Sequence, residues 1–309
     1  MTVDFGLALV ERQPRGALDA WMNDLDQLLP QLQGRFKSLW MTDHLFWDDY
    51  FVFESWTALS FLAARWPGFD VGPMVMCQSY RNPALLAKMA ATLQVFSGGR
   101  LLLGIGAGWK EDEYLGFGYP FPAPGIRIEQ LEDTLEIVRR LWTTSGSITY
   151  QGKHYSVVNA YCEPKPDPLP PIIVGGGGDK TMKLAARYAD WWNISDANFS
   201  VYRERVTTLR QHCEAIGRDP ATLRLTWFGR IALGHTEADA VERGLSGSMK
   251  FTRANAFVGT PKQVVEQMLP YIELGADYFM VDVLDLNTPD IVGMLLDDVL
   301  PALQDGANR

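Results

Sequence analysis

Short apolar runs alternate with longer amphipathic segments from one end of the chain to the other. Eight of these runs have the length and residue types of buried strands, and each is followed by a segment with a helical pattern. The eight runs are residues 3–10, 37–42, 69–78, 100–107, 172–175, 190–195, 223–232 and 278–284. Because strands that alternate with helices form parallel sheets, the pattern predicts an α/β protein with a (β/α)8 TIM barrel.

Two of the predicted helices have clear start signals. Asn82-Pro83 and Thr260-Pro261 each combine a good N-cap residue with proline at the first helical position. Gln263 stands where its side chain completes a capping box with Thr260. We therefore predict that a helix begins at each of these two points.

Three segments interrupt the alternation, and we expect each to be an insertion in a single domain over residues 1–309. Residues 116–124, after strand four, contain three prolines and two glycines, which predicts a turn-rich loop. Residues 147–171 lie between helix four and strand five, and their first part, 147–155, predicts a β-hairpin around Gln151-Gly152. Residues 235–259, after strand seven, have only a weak helical pattern, so we expect a mobile loop over the barrel mouth.

The overall charge narrows the classes of ligand. A formal net charge of −9 argues against binding to nucleic acid or to an anionic membrane surface, because both require basic patches. No apolar run approaches the length of a membrane span, and the first residues lack the pattern of a signal peptide. We therefore expect a cytoplasmic protein that acts on a small molecule.

The three cysteines and four histidines are scattered along the chain. None of their spacings matches a disulfide framework, a CxxC pair or a metal-binding motif. We expect reduced thiols and no metal centre.

Asp43 and His44 follow strand two, at the end of a TIM barrel where ligands bind. The imidazole can hold or move a proton near neutral pH, or stabilise charge on a reacting oxygen. A histidine that only caps the rim of the barrel fits the same spacing equally well. From the residues alone, both interpretations stay open.

Strand five ends in four consecutive glycines, directly before a predicted helix. Glycine lets backbone N–H groups approach a ligand closely, and a helix N-terminus attracts anions, so this segment favours phosphate binding over a flexible turn. Gly106, at the end of strand four, is a further candidate for contact with a cofactor. The candidates in the strand-five segment are Gly175, Gly176, Gly177, Gly178 and Lys180.

Large aromatic residues cluster at the same end of the predicted barrel. Trp47 and Trp109 are on presumed loops, where flat apolar side chains suit a substrate pocket. Trp191 and Trp192 begin a strand, so we expect them to pack in the core. The acidic residues 111–113 are interpreted as a solvated helix start, with the alternative that one of them reaches the pocket.

Four stretches together resemble the bacterial-luciferase-like superfamily. They are residues 38–44 (SLWMTDH), 81–92 (RNPALLAKMAAT), 98–109 (GGRLLLGIGAGW) and 172–178 (IIVGGGG). Within that superfamily, the sequence is most similar to the branch that uses the deazaflavin coenzyme F420.

The resemblance implies a site as well as a fold. The deazaflavin ring would lie in the barrel mouth, with the cofactor phosphate near the strand-five glycines and a non-prolyl cis peptide behind the ring, near Pro73, Met74 and Val75. It implies a catalytic role for His44 and places Asp43 close to the ring. The glucose-6-phosphate dehydrogenase branch has a glutamate just after strand four, where this chain has Trp109, so we expect sugar phosphates to be poor substrates.

Three hypotheses about function follow. The leading one is an F420-dependent oxidoreductase that transfers a hydride between the deazaflavin and a small organic substrate. The alternative on the same fold is an FMN-dependent monooxygenase, supplied with reduced flavin by a separate reductase. A third is a non-catalytic barrel that only binds a flavin. The resemblance also implies a homodimer.

Overall fold

The chain folds as alternating strands and helices. The structure is a computed structural model and describes residues 2–9, 18–47, 52–245 and 252–306. Its strands are β1 (Asp4–Ala8), β2 (Ser38–Met41), β3 (Asp70–Pro73), β4 (Met76–Cys77), β5 (Leu103–Gly106), β6 (Ile148–Gln151), β7 (Ser156–Ala160), β8 (Ile172–Gly175), β9 (Trp191–Ser195), β10 (Arg224–Leu233), β11 (Ala256–Gly259) and β12 (Ala276–Val283).

Helices connect most of these strands. They are α1 (Leu18–Leu32), α2 (Ser55–Arg65), α3 (Pro83–Ser97), α4 (Glu111–Gly116), α5 (Pro124–Thr143), α6 (Asp179–Tyr188), α7 (Phe199–Ala215), α8 (Glu237–Leu245), α9 (Pro261–Glu273), α10 (Pro289–Gly293) and α11 (Leu300–Gly306). Two short 3₁₀ helices (Gln78–Tyr80 and Pro220–Thr222) and a π-helical turn (Met294–Val299) complete the set within the described residues. Among the described helices, none is long and apolar enough to cross a membrane.

The strands form a parallel sheet that curves into a barrel. Neighbours around the wall follow the order β3, β2, β1, β12, β10, β9, β8, β5, β4. Since β3 and β4 are consecutive halves of one predicted strand, their pairing with β2 and β5 brings the two ends of the sheet together. This confirms the (β/α)8 TIM barrel and places each of the eight predicted strands in its wall.

Buried side chains fill the barrel interior. The group includes residues from strands all round the wall: Ala8, Trp40, Met74, Leu102, Ile173, Phe228, Tyr278 and Met280. Such an interior is a packed core and not a pore, so a ligand has room only above it, where the strands end.

Both predicted helix starts are confirmed. The Asn82 side chain accepts hydrogen bonds from the first-turn N–H groups of α3. Thr260 and Gln263 form the reciprocal capping box at the start of α9. Caps of this kind typically stabilise a protein by about 1 kcal/mol each.

The hairpin prediction is correct in type and wrong in length. β6 and β7 are antiparallel, but β7 begins at Ser156, after the predicted end of the hairpin. The reason is Asp133 of α5, whose buried carboxylate accepts hydrogen bonds from the backbone N–H groups of Lys153, His154 and Tyr155. Those three N–H groups point at α5, so the connection is longer than a two-residue turn.

The expectation of a structureless loop over residues 235–259 is wrong for the part that the structure describes. α8 and β11 lie within it, and β11 pairs with β10. Thr236 and Asp239 exchange backbone and side-chain hydrogen bonds at the start of α8, which is the capping-box arrangement that stabilises a helix N-terminus. Residues 246–251 lie outside the described residues.

Candidate active site

A cavity of about 570 Å³ lies above the packed interior, where the barrel strands end. This volume is in the range of small-molecule and cofactor sites. Nine of the predicted site residues line it: Asp43, His44, Trp47, Met74, Val75, Gly106, Trp109, Gly175 and Gly176. The other four, Pro73, Gly177, Gly178 and Lys180, are not among the lining residues, and Lys180 is exposed on α6.

His44 is held by a buried carboxylate. Its Nδ1 lies 3.0 Å from Oε1 and 3.2 Å from Oε2 of Glu113, and only 1% of the Glu113 side chain is exposed. A carboxylate accepts hydrogen bonds, so the arrangement favours the form of His44 that is protonated at Nδ1. Nε2 is then the nitrogen that remains for a ligand in the cavity.

Glu113 also fixes the chain around His44. Its Oε1 accepts a hydrogen bond from the backbone N–H of Leu45 at 3.1 Å, and its Oε2 accepts one from the Tyr80 hydroxyl at 3.2 Å. These donors supply hydrogen bonds to carboxylate oxygens that have little access to water. Burial also raises the pKa of Tyr80 well above its usual range, with the nearby acidic groups adding to the effect, so Tyr80 stays a donor.

The interpretation of residues 111–113 as solvated therefore needs correction at Glu113. α4 is six residues long and turns this one carboxylate inward, while Asp112 is largely exposed. The sequence carries a partial signal, since an acid at the third position of a helix after a strand can face either way. Which way it faces depends on the loop after β2, which lies far away in sequence.

Both carboxylate oxygens of Asp43 accept hydrogen bonds from neighbouring residues. Its two oxygens form a bidentate ion pair with Arg81, at 2.8 and 3.0 Å, and they also accept from the Ser55 hydroxyl and the Cys77 N–H. Burial alone would lower the pKa of Arg81, but Asp43 and Glu54 hold it above its usual value. Asp43 therefore ties together the segments after β2 and β4.

Cys77 is a buried thiol in the cavity wall. Its Sγ lies 2.9 Å from the Tyr114 hydroxyl. Burial raises the pKa of the Cys77 thiol to about 11, although hydrogen bonds from Tyr114 and Ser79 act in the opposite direction. A neutral thiol is a poor nucleophile, so the residue acts as part of the wall.

Val75 forms a wall of the cavity, directly after the cis peptide bond between Met74 and Val75. The prediction of a non-prolyl cis peptide near this point is confirmed. A Cβ atom on Gly106 or on Gly175 would come within 2.7 Å of the Val75 methyl groups. Glycines at the ends of β5 and β8 therefore make room for this one side chain.

The glycine run divides into two halves. Gly176 donates its N–H to the Asn193 carbonyl and accepts from Trp192 Nε1 at 3.0 Å, so its backbone is used within the barrel. Gly178 is the N-cap of α6, and the first-turn N–H groups of a helix have no partner within the helix. Thr181 lines the cavity beside this helix start. An anion would be held here by the second half of the run and by α6.

The two predicted pocket tryptophans flank His44. The rings of Trp47 and Trp109 meet the imidazole edge to face, with centroids 4.8 and 5.9 Å away. Trp192, in contrast, is fully buried in the core, as predicted. Within the described residues, no group of three or more His, Cys, Asp or Glu side chains is placed to hold a metal ion.

Comparison with protein families identifies the barrel. The model of the luciferase-like monooxygenase family matches residues 33–252, well over half of the chain. The chain belongs to this family. The matched region contains β2 to α8 and all of the predicted residues that line the cavity.

Relatives and structural neighbours of this luciferase-like protein include F420-dependent dehydrogenases and a monooxygenase. The F420-dependent glucose-6-phosphate dehydrogenase of Amycolatopsis mediterranei is 23% identical over 301 residues, which cover 86% of this chain and 90% of that protein. A solved F420-dependent secondary alcohol dehydrogenase, in complex with an F420–acetone adduct, superposes with a TM-score of 0.83 at 20% identity over 99% of this chain and 100% of that chain. An EDTA monooxygenase from a Chelativorans species gives 0.79 at 17% identity, over 99% and 94%. At these identities the two superpositions establish the fold.

Proposed function

We propose that the protein is an F420-dependent oxidoreductase that transfers a hydride between the deazaflavin and a small organic substrate. The observation that carries the proposal is the His44–Glu113 pair in the wall of the cavity. The name of the Amycolatopsis relative supports F420 as the cofactor.

The cavity wall has the features that a flat, phosphorylated cofactor needs. Val75 and Met74 offer an apolar wall for a ring, and the start of α6 with Gly177 and Gly178, which adjoin the lining residues Gly176 and Thr181, would hold a phosphate. Asp43 stands on the same wall, and its engaged carboxylate would keep that side of the site rigid. When bound, a deazaflavin accepts or donates a hydride at carbon 5 of its ring.

His44 is the proposed catalytic residue. With Nδ1 bound to Glu113, Nε2 accepts the hydroxyl proton of an alcohol substrate as the alcohol is oxidised. In the reverse direction it returns that proton to the carbonyl oxygen. Glu113 positions the ring and stabilises the imidazolium that forms in between.

Glu113 weakens the case against sugar phosphates. The sequence has Trp109 where the related dehydrogenases are expected to have a carboxylate after strand four. Glu113, four residues further along the chain, nevertheless places a carboxylate in the same cavity. Glucose 6-phosphate therefore belongs in the first substrate screen. The expectation that it is a poor substrate stays a prediction.

The second candidate is an FMN-dependent monooxygenase that receives reduced flavin from a separate reductase. The likeness to the EDTA monooxygenase supports keeping it, because both proteins share the barrel. A barrel that binds a flavin without turnover is the third candidate, and for it His44→Ala should alter affinity alone.

One experiment separates these candidates. The purified protein is titrated with F420 and, separately, with FMN, and the fluorescence of the cofactor is followed. We expect saturable binding of F420 and weaker binding of FMN. Tight binding of FMN with none of F420 would overturn the proposal, and so would a screen in which no substrate turns over with bound F420.

We further propose a cytoplasmic homodimer. α2 and α3 present apolar side chains to solvent, among them Phe61 and Phe96. Light scattering after size exclusion should give twice the mass of the chain, and a monomer at micromolar concentration would refute this. Cell fractionation tests the location.

A further inference from the structure

Two pairs of aromatic rings, joined by one lysine, extend from the catalytic histidine to the surface. We define the aromatic strip as Trp47, Trp109, Phe46 and Phe117. Trp47 and Trp109 flank His44 and meet each other with centroids 6.1 Å apart. The inner end of the strip therefore lies directly beside the proposed reaction centre.

The outer end of the strip is open to solvent. Phe46 stacks on Phe117, with centroids 6.2 Å apart and an interplanar angle of 16°. The Lys110 ammonium bridges the two halves, at 4.8 Å from the Phe46 ring and 5.1 Å from the Trp47 ring. Trp109 is 65% exposed and Phe117 is 56% exposed. Contiguous exposed aromatic surface next to a cavity is typical of a binding site.

The ionisable side chains of the cavity are engaged within the protein. In the part of the wall that the structure describes, each one forms an ion pair or a hydrogen bond with another ionisable side chain. The pairs are Asp43 with Arg81, Glu113 with His44, Lys110 with Asp112, and Arg230 with Asp196 and Asp282. A charged substrate group would have to break one of these pairs, so the wall favours a neutral substrate.

We propose that the substrate is a neutral apolar ketone, or the corresponding secondary alcohol, whose chain or ring lies along the aromatic strip. Its oxygen meets His44 Nε2, while the apolar part passes Trp47 and Trp109 and extends toward Phe117. The proposal rests on the proposed function for the reacting oxygen. The apolar recognition rests on the strip alone.

A second copy of the chain is the other candidate for covering exposed aromatic rings. The substrate is favoured because the strip continues into the cavity, where Trp47, Trp109 and Lys110 form part of the wall. An interface between copies would not require the rings to reach His44.

The test is a binding series that needs no turnover. Protein loaded with oxidised F420 is titrated by calorimetry with acetone, 2-hexanone and 2-nonanone. A ketone cannot take a hydride from the oxidised cofactor, so the heat contains no turnover, and the absorbance of the cofactor reports any adduct with the ketone. We expect the dissociation constant to fall about two- to fourfold for each added methylene, the range for a group that is half to fully buried.

Three variants assign the effect to the strip. Trp109→Ala and Phe117→Ala should each reduce the gain per methylene to less than about 1.5-fold. Phe96→Ala removes a phenylalanine that is 84% exposed on α3, away from the mouth, and should leave the series unchanged. All three positions are exposed, so the variants are expected to fold.

Several results would overturn the proposal. They are affinities that do not depend on chain length, an unchanged series in both strip variants, or glucose 6-phosphate binding more tightly than 2-nonanone. A Phe117→Ala variant that loses its dimer in light scattering and keeps its ketone affinities would assign the strip to an interface. If F420 does not bind, the same series on the protein without cofactor still tests the strip, so failure of the cofactor proposal is seen separately.

Discussion

Replacing Glu113 by glutamine tests whether the buried carboxylate sets the protonation of His44. The amide keeps the shape of the side chain, but an N–H₂ group replaces one of the two acceptor oxygens. One amide oxygen can still accept from the Leu45 N–H, at 3.1 Å in the native protein. That oxygen also lies 3.0 Å from His44 Nδ1 and can still accept from it, but it carries no charge to stabilise the imidazolium, and the N–H₂ group replaces the oxygen that accepts from Tyr80.

The size of the effect follows from the bonds that are lost. A hydrogen bond to a charged group contributes about 1.5–3 kcal/mol, and Glu113 makes one of these to His44 at 3.0 Å. Lost from the transition state, that energy lowers kcat about 10- to 100-fold. We expect the dissociation constant of the cofactor to change less than about twofold, because the proposed contacts of the ring and the phosphate are Val75, Met74 and the start of α6 and not Glu113.

Two readouts are needed. Steady-state rates give kcat and KM for a substrate found by screening. Independently of any substrate, nitrogen-15 NMR of labelled histidine reports which ring nitrogen of His44 carries the proton, and His44→Gln assigns the signal. The matched control is Glu129→Gln, because Glu129 pairs with His154 at 2.9 Å on the surface, with 41% of its own side chain exposed.

Two outcomes would refute the reasoning. If Glu113→Gln folds, keeps His44 protonated at Nδ1 and has native kcat, the carboxylate does not position the histidine. If it lowers kcat no more than Glu129→Gln does, the pair has no role in the reaction.

Three further predictions concern the walls of the cavity. Gly175→Ala adds a Cβ that would clash with the Val75 methyl groups, so we expect about tenfold weaker F420 binding by fluorescence titration. The control is Gly125→Ala, where a Cβ meets nothing within 4 Å, and this variant should bind as the native protein does. Burial raises the pKa of Cys77 to about 11, so only about one thiol in a thousand is ionised at pH 8. Mass spectrometry should therefore find slow alkylation by iodoacetamide, which accelerates as the pH approaches 11. Fast alkylation of the folded protein at pH 8 would contradict this. Asp43→Asn removes the charged partner of the buried Arg81 and should lower the free energy of unfolding in urea by about 3 kcal/mol. Asp26→Asn, in an exposed ion pair, should lower it by less than about 1 kcal/mol. Equal losses would show that burial of the pair does not matter.

Periodicity was enough to predict the barrel because each wall strand is a local pattern bounded by its own turn residues. The start of α8 shows that a local signal can be missed: Thr236 and Asp239 have capping-box spacing, yet the weak helical pattern of residues 235–259 favoured a loop. The hairpin length could not be predicted, since it depends on Asp133 from another element.

The site was predictable to the extent that strand ends meet at one face of a barrel. That geometric rule located Asp43, His44 and Gly175 in the cavity without any contact being known, whereas Val75 was placed there by the family resemblance. The rule did not identify Glu113, because an acidic helix start is usually solvated and the donors to this carboxylate come from the loop after β2 and from Tyr80. The sequence pattern therefore identifies positions along strands better than it identifies partners across them.

The glycines at the strand ends have two different physical reasons. Gly106 and Gly175 are small because the Val75 side chain fills the space above both, so they shape the wall against which a ring would stack. Gly177 and Gly178 lie one step further on, outside the lined cavity, where the chain enters α6. If the first pair serves the ring and the second pair the phosphate, then Gly175→Ala should weaken binding of any flavin or deazaflavin. A substitution at Gly178 should instead weaken binding only of phosphorylated forms, which makes riboflavin against FMN the discriminating pair of ligands.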